Sequence, residues 1–84
     1  MSTQETFAQG DVIEDHYGNP AVVLSTQEGR PSRIMQTVGS DRGNITHAPR
    51  TPTRVTGSRA AWAVGVARHE WKRQGLRRSD FTCS

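Results

Sequence analysis

The sequence predicts a mainly β domain of the α+β type. We expect a small barrel or curled antiparallel sheet of four or five short strands, followed by one C-terminal helix at about 59–74. Three observations carry this expectation. Short β-branched runs are separated by Gly-, Pro- and Asn-containing turns. Only residues 59–74 show helical periodicity. The chain has 84 residues, room for a single core. Val, Ile, Leu and Phe contribute only fourteen of those residues, a low share for a globular domain. A net charge of only +3 argues against a disordered chain all the same.

The elements follow in order. Residues 1–9 are polar and read as a flexible N-terminus to one domain over 10–84. Gly10 and Asp11 open a strand over 11–17, whose apolar members are Val12 and Ile13. Gly18-Asn19-Pro20 signals a turn, and the run 21–26 is the strongest strand pattern in the chain. Together they read as a hairpin. Residues 27–32 read as a loop, 33–38 as an imperfectly alternating strand, 39–43 as a turn and 44–47 as a returning partner. Pro49 and Pro52 interrupt ladder pairing, after which 53–56 reads as a short last strand. Ser58 is placed as the helix N-cap and Gly75 as the residue just past its end. Gly65 inside the helix costs about 1 kcal/mol relative to alanine, so packing must hold the helix. The expected core is Val12, Val22, Leu24, Ile34, Val38, Ile45, Val55, Val64 and Trp71.

Gly10-Asp11-Val12-Ile13, followed by Gly18-Asn19-Pro20-Ala21-Val22-Val23, resembles the opening hairpin of SH3-like small β-barrels, KOW-type modules among them. The resemblance covers residues 10–24. It implies a non-enzymatic module whose relatives bind nucleic acid, ribosome or polymerase. The aromatic groove of peptide-binding SH3 domains is missing, because Tyr17 is the only tyrosine.

Catalytic and metal signatures are absent from the sequence. His16, His47 and His69 form no H-x-x-x-H or H-E-x-x-H pair, and a single cysteine, Cys83, forms no C-x-x-C and no intramolecular disulfide. His16 and Asp15, like Glu14 and Asp15, are neighbours that a strand would point to opposite faces. Residues 39–43 hold two glycines and Arg42 but no helix follows them, so they make no P-loop. No enzyme, cofactor or metal site is expected. The N-terminus has neither a basic n-region nor an apolar h-region. The longest weakly polar run, 60–67, falls far short of the roughly 20 residues that span a bilayer. A cytoplasmic protein without membrane contact is the expectation.

Charge is divided along the chain. Residues 1–28 carry five acidic and no basic side chains, whereas 29–84 carry all eleven basic residues against three acidic ones. Ten of the eleven cations are arginine, whose fork fits phosphate or carboxylate oxygens. On a helical projection Ala60, Ala63, Val64, Ala67 and Trp71 share one face, and Trp62, Val66, His69 and Arg73 the opposite one. The first set is expected to dock on the sheet. Trp62, Val66 and His69 are the candidate partner-binding residues. Arg68, Lys72, Arg73, Arg77 and Arg78 form the candidate nucleic-acid or anion-binding strip, which Arg30, Arg33, Arg42, Arg50 and Arg54 could continue.

Two function classes follow. One is a binding module associated with nucleic acid through its Arg-rich half. The other is a protein-interaction or inhibitor protein of phage or mobile-element type. It would engage a host protein through the acidic N-terminal hairpin or the Trp62 face, or pair with a second copy as a homodimer. With only one helix visible, the sequence argues against a helix-turn-helix.

Overall fold

Ala21, Val22, Val23 and Leu24 follow one another without a polar residue between them. Neighbours in a strand point to opposite faces, so this run needs apolar cover on both sides of its sheet. The computed structural model, which describes residues 6–75, provides it. Four antiparallel strands form one sheet in sequence order: β1 (Val12–Glu14), β2 (Pro20–Gln27), β3 (Arg30–Gln36) and β4 (Ile45–His47). A 3-10 turn (Gly39–Asp41) precedes β4, and the helix α1 (Ser58–Arg73) follows it. Val22 and Leu24 pack with Val12, Met35 and Val55 beneath Ala63 and Ala67 of α1, and Trp71 lies at the margin of that cluster. Ala21 and Val23 face the other way, with Ile13, Ile34 and Phe7.

The second face is a core in its own right. Ile13, Val23 and Ile34 are fully buried, and each such side chain contributes about 1.5–3 kcal/mol. Phe7 closes this face. Its N–H donates to Gly29 O at 2.8 Å, and the Arg54 guanidinium lies 4.6 Å above its ring. Arg54 also donates to Asp11 Oδ2 at 3.2 Å and to Thr6 O at 3.0 Å, tying the N-terminal segment to the sheet. Of the stretch 1–9 expected to be flexible, residues 1–5 lie outside the described residues, and Phe7 belongs to the core.

The sheet stays open, which decides between the two expected forms against the barrel. Beside β1 the expected strand at 53–56 shrinks to one bridge, Ile13↔Arg54. The Glu14 N–H donates to Thr53 O at 2.9 Å, and the Val55 N–H donates to Val12 O at 2.8 Å. Pro52, immediately before it, supplies no N–H to lengthen this ladder. The expected loop 27–32 is corrected as well. Gln27 pairs with Arg30 across the two-residue turn Glu28-Gly29, where both φ angles are positive (54° and 78°). Pro31 is tolerated in β3 because it lies beyond the last pair with β4, Arg33↔His47.

Five of the nine expected core residues are buried, Val64 and Trp71 pack partly buried against them, and the other two are corrected. Ile45 sits in edge strand β4 beyond the reach of α1, which packs chiefly on β2 and β1, and is 42% exposed. Val38 is only half-buried because β3 ends at Gln36. The helix cap also differs. Gly57 rather than Ser58 is the N-cap, with φ 75° and no side-chain bond. At the other end Gly75 has the expected left-handed φ of 68°, and its N–H donates to Lys72 O at 3.1 Å.

Candidate functional site

The helix is buried on a wider stripe than its apolar residues alone specify. Ala63 and Ala67 are buried as expected, but so are Val66, on the face assigned to a partner, and Glu70 beside it. The cause is the connection between β3 and β4, which runs along that flank. Val38 shares a recess with Trp62, Arg42 reaches Glu70, and Gly43 O accepts from Gln74 Nε2 at 2.9 Å. Val66, a candidate partner-binding residue, is thus buried in the described structure.

Glu70 organises this flank. Its side chain is only 6% exposed, and Oε1 accepts from Arg73 Nε at 3.0 Å and Nη2 at 2.7 Å. Oε2 lies 3.3 Å from Arg42 Nε. The Arg73 hydrogen bonds hold the Glu70 carboxyl below the usual carboxylate range, helped by the Arg73 and Arg42 charges and outweighing the opposing effect of burial. Gly43 makes room for the arrangement. At φ 87°, a Cβ there would stand 2.6 Å from Glu70 Oε1 and 2.8 Å from Gln74 Nε2.

The basic strip is consequently divided. Arg73 and Arg42 are tied to Glu70, and Arg54 to Asp11 and Thr6. Arg68 and Lys72 are exposed and make no ion pair among the described residues. Arg77 and Arg78 lie outside the described residues. Arg30 and Arg50 are brought together elsewhere, along a recess lined by Pro31, Pro49 and Pro52. Arg33 is exposed in β3.

Arg68 stands at the rim of a cleft of about 390 Å³ between the N-terminal segment and α1. Gln9 and Gly10 form one side, Val64 and Trp71 the other, and Val22 part of the floor. On the opposite flank Trp62 is 51% exposed above Pro20 and Val38, and His69 is exposed. Phe7 packs on the far face of the sheet and does not cover Trp62.

The acidic hairpin is largely consumed by the fold. Asp15 is buried, and its Oδ1 accepts from the Tyr17 and Asn19 N–H groups at 2.8 and 3.0 Å, which closes the β1–β2 turn. Asp11 Oδ2 accepts from the Ala8 N–H at 2.9 Å and pairs with Arg54. Among the described residues no three His, Cys, Asp or Glu side chains gather where they could hold a metal ion. No described helix is long and apolar enough to cross a membrane.

Sequence reasoning missed Gln9 as a lining residue of the cleft and the Glu70–Gly43 seat. Gln9 sits in a stretch that composition marks only as polar. A readable signal did exist for the second. Glu70 stands three residues before Arg73 within a helix, and Gly43 follows a turn motif. No family model matches the chain, and neither a curated protein nor a solved structure matches it at a significant level.

Proposed function

We propose that the protein is a non-enzymatic, cytoplasmic binding module that associates with nucleic acid through the Arg68–Lys72 side of α1, extended by Arg77 and Arg78. The observation that carries the reading is the division of the cations. Three arginines are engaged within the fold and Arg30, Arg33 and Arg50 lie elsewhere, whereas Arg68 and Lys72 stand one helical turn apart on α1, exposed, beside an open cleft. Arginine forks and lysine ammonium groups bind phosphate oxygens, and counterion release supplies most of the affinity.

Titration of a random single-stranded oligonucleotide at several salt concentrations tests this. Replacing Arg68 and Lys72 by glutamine should weaken binding to all sequences alike and flatten the slope of log K against log salt by about 1.4, or about 0.7 per lost contact. No detectable binding at about 50 mM salt would overturn the reading, since electrostatic association is strongest there.

The exposure of Trp62 favours a second reading, a protein partner seated on the recess formed with Pro20 and Val38. Tryptophan beside arginine, here Arg59, is the composition of an interface anchor. This second reading rests on Trp62 rather than on the acidic hairpin, where Asp11 and Asp15 are bonded internally. A pull-down from host lysate separates the two readings. A partner bound through Trp62 survives nuclease treatment and is lost in Trp62→Ala.

A further inference from the structure

We propose that the cleft between Gln9-Gly10 and α1 receives one unstacked base of a single-stranded nucleic acid, an inference that rests on the nucleic-acid reading above. The cleft, about 390 Å³, falls within the roughly 300–1,000 Å³ range of ligand-holding clefts. Val64 and the half-buried indole of Trp71 give it an apolar wall, which suits the π-face of a base. Gln9, exposed and lining the cleft, carries an amide with both an acceptor and two donors for a base edge. Arg68 stands on the rim, and Lys72 follows about 6 Å further along the helix axis. A strand entering and leaving the cleft therefore passes two cations.

Charge selects this occupant over an apolar peptide. The rim is basic, and the whole chain has an isoelectric point near 10.0. On the opposite flank Glu70 engages Arg73 and Arg42, whereas Arg68 and Lys72 face no carboxylate among the described residues. A duplex cannot use the cleft, because its bases are stacked and paired. Single strands splay theirs, and aromatic side chains accept them with little preference for sequence.

The chain has two tryptophans, so Trp62→Phe leaves Trp71 as the sole indole reporter. This variant is titrated at about 50 mM salt with a short poly-deoxythymidine strand and with an abasic strand of the same length and charge. The base-bearing strand should bind about tenfold more tightly and change Trp71 emission, while the abasic strand binds through charge alone. Adding Gln9→Ala should narrow that gap without changing the affinity for the abasic strand. Equal affinities with unchanged Trp71 emission would overturn the cleft assignment and leave the nucleic-acid reading standing. Failure of both strands to bind overturns both. Emission that changes with protein concentration in the absence of nucleic acid gives the cleft to a second copy and overturns the proposal too.

Discussion

The two flanks of α1 use the same residue types in opposite ways. On one, Trp71 is half-buried against the core while Arg68 and Lys72 are exposed. On the other, Trp62 is exposed while Arg73 is held by a buried glutamate. What differs is the segment each flank meets. Gln9 and Gly10 stand off from Trp71 and leave a cleft, whereas the β3–β4 connection brings Arg42 and Gly43 against Glu70 and Gln74. Whether a tryptophan or arginine on a short helix is structural or available is thus decided by loops far away in sequence. A count of cations on the chain overstates the surface they form.

The largest expected effect breaks the comparison at its aromatic residues. Trp71→Ala empties the margin of the core under α1 and should cost about 3 kcal/mol. In a domain this small that lowers the melting temperature by about 12 °C or more. Trp62→Ala removes a side chain that is half in water and should cost less than about 1 kcal/mol. Thermal melts of the two variants decide it: equal losses would mean that both flanks are core.

A smaller effect comes from the glycines that face each flank. Gly10 and Gly43 both have left-handed φ angles, 93° and 87°. An alanine at either position pays about 1–2 kcal/mol for that conformation. At Gly10 an added Cβ meets nothing within 4 Å, whereas at Gly43 it meets Glu70 and Gln74. Gly43→Ala should therefore destabilise more than Gly10→Ala by about 1 kcal/mol, as read by urea denaturation. The excess should fall when Glu70→Ala vacates the space. An excess unchanged in that double variant would place the strain elsewhere.

These contrasts show which parts of the molecule the residues announce. The helix, read at 59–74 and found at Ser58–Arg73, is legible because its period and the following Gly75 are local signals. The first hairpin is legible from Gly18-Asn19-Pro20 between two apolar runs. The second core was concealed. Phe7 lies in a polar stretch, and only the uninterrupted run 21–24 hints that the sheet is covered on both faces. Pro31 argued for a loop because a pattern does not show that β4 stops before it. At the candidate site the helical period puts Arg68 and Lys72 between the two faces, off the side that docks on the sheet. The capture of Arg73 could not be read, since it depends on the path of residues 37–43.

The smallest expected effect is a pH dependence confined to the Glu70 flank. The hydrogen bonds from Arg73 lower the Glu70 carboxyl most, the Arg73 and Arg42 charges and Gln74 add to this, and burial opposes it without prevailing. A carboxyl held below its unfolded value, about 4.3, binds fewer protons in the native state. Its contribution is therefore present in full above that value and is lost as pH falls through the lower folded one. Both arginines are substantially exposed, which screens the pairing and keeps the effect small. Urea midpoints of the native chain and of Glu70→Gln, measured from neutral to acid pH, should differ most at neutral pH. The difference should close progressively below about pH 4.3. Raising salt at neutral pH should narrow it as well, because screening weakens a partly exposed ion pair. Arg68→Gln should track the native chain at every pH. A Glu70→Gln difference that persists unchanged into acid would assign the residue's contribution to packing and hydrogen bonding by its neutral form. The charge-based account of how Glu70 holds Arg73 on this flank would then be wrong.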